Sequence, residues 1–136
     1  MNKDKVEIVL IEDNPADVLL IREAIRDAGL ALELITFSDV PEAIAGLEDH
    51  AAARPDAILV DLNLPKGEGM TVIQALKASA RLADVPLAIL TSSESPRDLE
   101  QAQRLGVTRY IHKPATLDEF LTRVGGAVAE LLDGAR

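Results

Sequence analysis

Charged and hydroxylated side chains follow four of the short apolar runs in this sequence, at the point where each run ends. Glu12-Asp13 follow the first run, Asp61 follows Ile58-Leu59-Val60, Thr91 follows a run that ends at Leu90, and Lys113-Pro114 follow the last run. A carboxylate beside a buried strand is destabilising unless another group compensates for it. These side chains are therefore the first candidates for chemistry.

Three carboxylates that meet at one edge of a sheet would repel one another. A hard divalent cation removes that conflict, and Mg²⁺ prefers one or two carboxylates, retained waters and a phosphate oxygen as ligands. The ammonium of Lys113 and the hydroxyl of Thr91 match what the other oxygens of a phosphoryl group need. Asp61 can itself be the nucleophile, because carboxylates serve as phosphoryl acceptors.

The elements that would position these residues are five apolar runs with the length and composition of β-strands. Each run is short, rich in β-branched residues or leucine, and bounded by turn residues. The first, third and fourth are almost unbroken apolar stretches, which is typical of parallel strands covered on both faces, whereas the other two suit the edges of a sheet. The predicted strands are Val6–Ile11, Leu32–Phe37, Ala57–Val60, Leu87–Leu90 and Arg109–His112.

A helical pattern follows each predicted strand. After the first strand, Asn14 can cap a helix, Pro15 suits its first position, and Gly29 ends it. Gly125-Gly126 weaken the pattern of the last helix, and the sequence offers no functional account of them. The other predicted helices cover Ala43–Leu47, Met70–Ala78, a segment that starts at Ser95 and a segment that starts with a capping box at Thr116.

Five strand–helix pairs predict an α/β fold, a doubly wound parallel sheet with helices on both faces and right-handed crossovers. In such sheets, ligands bind beyond the carboxyl ends of the strands, at the point where the strand order reverses. The chain has 136 residues, enough for one domain with a hydrophobic core, and the last helix uses up the chain. We therefore expect a single domain over residues 1–136 and no additional domain.

The composition favours a folded soluble domain and argues against nucleic-acid-binding and membrane-spanning proteins. Hydrophobic residues make up 48% and charged residues 27%, as in folded soluble domains. The formal net charge of −9 argues against binding of nucleic acid, and no apolar run is long enough to span a membrane. Cysteine is absent and no signal peptide precedes the first strand, so the expected location is the cytoplasm.

The candidate residues and their order resemble the receiver domain of bacterial two-component response regulators, over essentially the whole chain. The resemblance implies a five-stranded sheet of the flavodoxin or CheY type, with the strand order 2-1-3-4-5. The residues that carry it are Glu12-Asp13, Asp61 with Pro65 four positions later and Gly69 eight positions later, Thr91, and Lys113-Pro114.

The same resemblance implies a role for each residue that contacts the phosphoryl group. Asp61 is the expected phosphoryl acceptor, and Thr91 and Lys113 are expected to contact the phosphoryl oxygens. Tyr110 matches an aromatic switch residue whose side chain turns inward as Thr91 moves toward the phosphate. The Lys113–Pro114 peptide bond is expected to be cis.

The expected cofactor is Mg²⁺. By resemblance, Asp13 and Asp61 are its direct carboxylate ligands, the backbone carbonyl of Asn63 is a further ligand, and Glu12 acts through a water molecule. No other cofactor is expected.

Partners are also implied by the resemblance. A sensor histidine kinase would supply the phosphoryl group, and a chain without an output domain would signal by contact with a downstream target or a phosphotransfer protein. Such a protein is not an enzyme, since it catalyses only its own phosphorylation and dephosphorylation. The segment "IEDNPADVLLIREAIRDAG" is similar to single-domain regulators paired with bacterial phytochromes, which adds a bacteriophytochrome kinase and a homodimer to the expected partners.

Three other functions stay open. A phosphorelay intermediate would carry the same residues, and a pseudo-receiver that acts as a docking module would be expected to lack Asp61, Asp13 or Lys113, all of which are present. A Mg²⁺-dependent phosphatase with an aspartate nucleophile would normally carry a carboxylate where Asn63 stands. A flavin-binding or dinucleotide-binding protein is disfavoured, because "EDNPAD" contains no glycine, and a P-loop NTPase is excluded by the missing GxxxxGK(S/T) pattern.

Overall fold

A computed structural model describes residues 5–49, 54–92, 95–107 and 109–134 of the chain. In this part of the chain, five strands alternate with five α-helices, as predicted. The strands are β1 Glu7–Ile11, β2 Glu33–Phe37, β3 Ala57–Asp61, β4 Leu87–Thr91 and β5 Arg109–His112. The helices are α1 Pro15–Asp27, α2 Val40–Leu47, α3 Glu68–Ala78, α4 Pro96–Arg104 and α5 Leu117–Gly134, and a short 3₁₀ helix, Pro65–Gly67, precedes α3.

The strands form one parallel sheet in the order β2-β1-β3-β4-β5, which confirms the predicted fold class and strand order. β1 pairs with β2 on one side and with β3 on the other. The chain therefore builds the sheet in one direction from β1 to β2 and in the opposite direction from β3 onward. The carboxyl ends of β1 and β3 lie side by side at this switch point, where ligands bind in such sheets.

Alternate residues of each central strand contribute to two hydrophobic cores, one on each face of the sheet. On one face, Ile8 and Leu10 of β1 share a core with residues of α1 and α5. On the other face, Val9 and Ile11 share a core with residues of α2, α3 and α4. The near-unbroken apolar runs of β1, β3 and β4 are thus explained by burial on both faces.

The starts of α1 and α2 follow from local capping. Asn14 Oδ1 accepts hydrogen bonds from the backbone N–H groups of Ala16 and Asp17, at 2.9 and 3.4 Å, as the sequence predicts. Helix α2 begins at Val40, earlier than the predicted Ala43, because Asp39 Oδ1 accepts a hydrogen bond from the backbone N–H of Glu42 at 2.8 Å. Such a side-chain cap satisfies an amide that the helix leaves unpaired.

The structure explains Gly125 as a packing residue. A Cβ atom at this position would lie 2.8 Å from the Ala24 carbonyl oxygen and 3.0 Å from the Ala28 Cβ, both near the end of α1. Gly125 therefore lets α5 approach α1 closely. A Cβ atom at Gly126 would have no neighbour within 4 Å, so the second glycine has no such role.

None of the helices in the described residues is long and apolar enough to cross a membrane.

Candidate functional site

Three carboxylates converge at the carboxyl ends of β1 and β3. Glu12 and Asp61 are each 2% exposed, whereas Asp13 is exposed at the rim of the site. One carboxylate oxygen from each of the three residues lies within 4.8 Å of those of the other two. The structure thus brings together the three acidic residues that the sequence proposes as metal ligands.

The position of Asp61 follows from the central place of β3 in the sheet. β3 pairs with β1 as far as Val60 and with β4 as far as Asp61, so its last residue is buried where the pairing ends. The backbone N–H of Asn63 donates to Asp61 Oδ1 at 2.9 Å. A Cβ atom at Gly69 would lie 2.8 Å from the Asp61 carbonyl oxygen and 2.9 Å from the Leu62 Cα. Glycine at this position therefore allows the start of α3 to pack against the end of β3.

Gly67 is a second glycine that the conformation of this loop requires. Its φ angle is 71°, in the left-handed region, and it stands at the N-cap position of α3. Residues with a Cβ are disfavoured in this region, which glycine enters freely. The extra glycine thus lets the 3₁₀ helix lead into α3, which starts at Glu68 and earlier than the predicted Met70.

Lys113 brings a positive charge from the end of β5 into the acidic site. Its side chain is 9% exposed, and its Nζ atom lies 2.8 Å from Glu12 Oε1, 2.7 Å from Asp17 Oδ2 and 3.6 Å from Asp61 Oδ2. Burial acts to lower the pKa of Lys113, but its hydrogen bonds to Asp17 and Glu12 outweigh burial, and the pKa is raised. The ammonium therefore keeps its charge at neutral pH.

The pKa of Glu12 is set first by its burial and then by its neighbours Asp61 and Lys113. Burial and then a hydrogen bond with Asp61 raise the pKa of Glu12 to about 8, against the opposing effect of Lys113. Excess negative charge and short distances between carboxylate oxygens are the conditions that a divalent cation relieves. The side chains present thus fit a hard cation bound among Glu12, Asp13 and Asp61.

Thr91 and Asn63 connect the loops that follow β4 and β3. Thr91 is fully buried at the end of β4, and its hydroxyl donates to Asn63 Oδ1 at 2.6 Å. The backbone N–H and the hydroxyl of Ser92 also donate to Asn63 Oδ1, at 2.9 and 3.2 Å. Only the backbone carbonyl of Asn63 is among the predicted site groups. The hydrogen bond between its side chain and Thr91 was not predicted.

Tyr110 lies in the middle of β5, beside β4. Its half-buried ring packs against the core on the α2, α3 and α4 face, and its hydroxyl hydrogen-bonds with the Thr91 side chain. Burial and then the charge of Asp98 raise the pKa of Tyr110, against the effect of that hydrogen bond. Tyr110 is thus in contact with Thr91, the residue to which the family resemblance couples it.

The prediction of a cis bond between Lys113 and Pro114 is wrong, because the described residues contain no cis peptide bond. Trans is the more stable form of an X–Pro bond by about 0.5–1 kcal/mol unless tertiary contacts select the cis form. In the trans form, the Lys113 N–H still continues the β4–β5 pairing by donating to the Thr91 carbonyl at 2.7 Å.

Asp17 belongs to the site and was not among the predicted site residues. The sequence places it in the first turn of α1, where an acidic residue is readily explained by the helix dipole. Its contact with Lys113 joins residues 96 positions apart and could not be read from local spacing. The predicted topology nevertheless indicates Asp17 as a candidate. Helix α1 follows β1 at the switch point of the sheet, so its first turn lies next to the site.

Comparisons with known proteins agree with this geometry. The family model described as the response regulator receiver domain matches residues 8–125. Response regulator Rcp1 of Synechocystis sp. is 34% identical over 129 residues, which cover 92% of this chain and 87% of Rcp1. A longer relative from the same organism, the DNA-binding dual master transcriptional regulator RpaA, is 36% identical, and the match covers 46% of its length.

Two solved structures are similar along nearly the whole chain. The phosphorylated cyanobacterial phytochrome response regulator RcpA is 37% identical, with a TM-score of 0.87 and 97% of each chain covered. The Mn²⁺-bound form of Rcp1 is 32% identical, with a TM-score of 0.84, and the match covers 94% of this chain and 95% of that chain. The fold and the acidic site define a receiver domain, and the chain belongs to the response regulator receiver family.

Proposed function

We propose that this chain is a single-domain response regulator whose Asp61 accepts a phosphoryl group in a Mg²⁺-dependent reaction, and that it signals by phosphorylation-dependent contact with other proteins. The observation that carries the proposal is the convergence of Glu12, Asp13 and Asp61, whose carboxylate oxygens lie within 4.8 Å of one another. Lys113 adds an ammonium 3.6 Å from Asp61 Oδ2. This set of groups suits a phosphoryl acceptor better than a site for a neutral ligand.

Mg²⁺ would be held by Asp13 and Asp61, by the backbone carbonyl of Asn63 and, through water, by Glu12. When bound, Mg²⁺ neutralises carboxylate charge and favours the approach of a negatively charged phosphoryl group. Its expected presence is supported by the carboxylate oxygens of Glu12, Asp13 and Asp61, which lie within 4.8 Å of one another. The Mn²⁺-bound structure belongs to Rcp1 and supports the same kind of site in this chain.

Asp61 would act as the nucleophile. One of its carboxylate oxygens forms a bond to phosphorus while the bond from phosphorus to an imidazole nitrogen of the donor phosphohistidine breaks. The electron pair of the broken bond stays on that nitrogen, which takes up a proton from solvent. Lys113 and Thr91 would then donate hydrogen bonds to the phosphoryl oxygens, for which Thr91 must release Asn63 Oδ1.

Access to Asp61 restricts the donor. Because Asp61 is only 2% exposed, a donor must project its phosphoryl group into the cleft, as a phosphohistidine side chain or a small acyl phosphate can. A groove beside the acidic site lies between the start of α1 and the segment from β2 to α2, and its lining includes Val18, Leu19 and Phe37. Leu19 is 65% exposed, and these apolar side chains support docking of a protein donor beside the acceptor.

The donor is proposed to be a sensor histidine kinase of the phytochrome type. The support is the similarity to RcpA, a phytochrome response regulator, along 97% of each chain. A downstream target or a phosphotransfer protein would receive the signal, and homodimerisation belongs to the same proposal. A role as phosphorelay intermediate differs only in the recipient, which would then take the phosphoryl group from Asp61.

The first prediction concerns Asp61→Asn. Wild-type protein incubated with Mg²⁺ and acetyl phosphate should gain one phosphoryl group, and the variant should gain none, because an amide oxygen is a poor nucleophile. Intact-mass spectrometry measures the gain, with EDTA as the metal-free condition and a phosphorylated histidine kinase as a second donor. Asp27→Asn, an exposed change on α1, is the matched control and should label like wild type. Equal labelling of Asp61→Asn would contradict the proposal.

A further inference from the structure

Asp17 makes the shortest contact with the ammonium of Lys113. Its Oδ2 atom lies 2.7 Å from Lys113 Nζ, compared with 2.8 Å for Glu12 Oε1 and 3.6 Å for Asp61 Oδ2. The contact joins the first turn of α1 to the end of β5 across the opening of the site. Asp17 is therefore a neighbour of the proposed phosphorylation site that is not one of its metal ligands.

The ammonium of Lys113 donates hydrogen bonds to two carboxylates other than that of Asp61. A lysine ammonium has three N–H donors. Asp17 and Glu12 accept at hydrogen-bond distance, whereas Asp61 lies beyond it. In the unphosphorylated protein, the positive charge is thus held toward α1 and β1 rather than on the acceptor carboxylate.

The position of Asp17 at a helix start does not account for this contact. A carboxylate in the first turn stabilises the helix dipole from a solvent-facing conformation as well. The side chain of Asp17 is instead 24% exposed and directed at Lys113. The unpaired amides of the first turn are already capped by Asn14, which accepts from Ala16 and Asp17.

We propose that Asp17 is a positioning residue that acts through Lys113 and competes with the phosphoryl group on Asp61 for its ammonium. This inference rests on the proposed function of Asp61. Two of the three Lys113 N–H groups donate to Asp17 and Glu12, so a phosphoryl oxygen that accepts from the third must draw the ammonium away from these carboxylates. Asp17 opposes that movement, because it would lengthen a charge-assisted hydrogen bond. Asp17 thereby limits the stability of the phosphorylated state.

The test uses beryllofluoride, which binds a carboxylate as a phosphoryl group does, at saturating Mg²⁺. Asp17→Asn should bind beryllofluoride about three- to tenfold more tightly than wild type, the effect expected when one charge-assisted hydrogen bond no longer competes. Asp17→Glu should return the affinity toward that of wild type, and Asp27→Asn should leave it unchanged. Fluorine NMR measures the dissociation constants, and calorimetry measures the Mg²⁺ affinity of each variant separately.

A double variant separates action through Lys113 from a general effect of charge. In a Lys113→Gln background, Asp17→Asn should have no effect on beryllofluoride affinity, because the shared ammonium is gone. The role of Asp17 would be overturned if Asp17→Asn raised beryllofluoride affinity equally in the Lys113→Gln background. It would also be overturned if Asp17→Asn alone bound beryllofluoride no more tightly than wild type, and this second comparison does not require Lys113→Gln to fold. If wild type binds no beryllofluoride, or if Asp61→Asn binds it as well as wild type does, the result contradicts the proposed function of Asp61 and not the role of Asp17.

Discussion

Glu12 is the side chain whose charge depends most on what the site binds. Burial and its hydrogen bond with Asp61 raise its pKa to about 8, and Lys113 opposes the rise. The folded metal-free protein thus binds this proton more tightly than the unfolded chain does, so Glu12 lowers stability as the pH rises from about 4.5 to about 8. A bound cation favours the ionised form of Glu12, so the folded protein with metal bound would hold this proton less tightly than the metal-free protein does.

Binding of Mg²⁺ should therefore release a proton. Below a pH of about 8, the apparent Mg²⁺ affinity of wild type should increase with pH, because the proton on Glu12 must leave. Glu12→Gln should bind Mg²⁺ more weakly and should lose most of this pH dependence. Calorimetry in two buffers of different ionisation enthalpy counts the released protons. Equal proton release at pH 7 by wild type and Glu12→Gln would assign the proton to another group.

At the scale of elements, the contact of α1 with α5 depends on one glycine. Gly125 lets the two helices approach until a Cβ would lie 2.8 Å from the Ala24 carbonyl. Ala24 belongs to the same helix as Asp17, and Lys113 precedes α5 in the chain, so we expect this packing to affect the contact of Asp17 with Lys113. The two glycines of α5 differ in this respect, because Gly126 has open space at its Cβ position.

Alanine at these two positions should change stability in opposite directions. Gly125→Ala should lower the free energy of unfolding by about 1–3 kcal/mol, since the added methyl meets backbone. Gly126→Ala should raise it by about 0.5–1 kcal/mol, since glycine in a helix interior is unfavourable and the space is free. Urea denaturation followed by circular dichroism measures both. Changes of the same sign would contradict the packing role of Gly125.

At the scale of the whole molecule, the alternation of apolar runs and helical patterns is enough to predict the parallel sheet and the edge that carries the site, whereas the strand order comes from the family resemblance. The order of Glu12-Asp13, Asp61, Thr91 and Lys113 along the chain was enough to predict that they meet. Individual side-chain contacts between these elements could not be predicted. The ion pair of Asp17 with Lys113 joins α1 to the residue after β5, and no local pattern encodes how those elements pack.

Smaller errors have local causes. The start of α2 was placed too late because the cap at Asp39 precedes the apolar periodicity that was used to find the helix. The cis bond before Pro114 came from the resemblance alone and had no support in the residues. Gly125 looked like a defect of α5 because helix propensity takes no account of a neighbouring helix.

The repulsion among the carboxylates should make the stability of the whole protein depend on Mg²⁺. A cation that binds only the folded state at a hundredfold excess over its Kd stabilises that state by about 2.7 kcal/mol, roughly 10 °C in Tm. Thermal melts in Mg²⁺, in EDTA, and in KCl of equal ionic strength measure the effect. Asp13→Asn should lose most of the shift. A shift in the variant as large as in wild type would place the cation elsewhere.

The hydrogen bond from Lys113 Nζ to Glu12 Oε1 joins residues 101 positions apart, which follow β5 and β1. During synthesis on the ribosome, the acidic residues of β1 and β3 emerge well before the ammonium that accompanies them. A nascent chain, or a proteolytic fragment cut before β5, lacks the lysine and the strand that supports Thr91. The proposed site is therefore complete only once β5 and Lys113 have been synthesised, and one cut in the chain before β5 removes its ammonium.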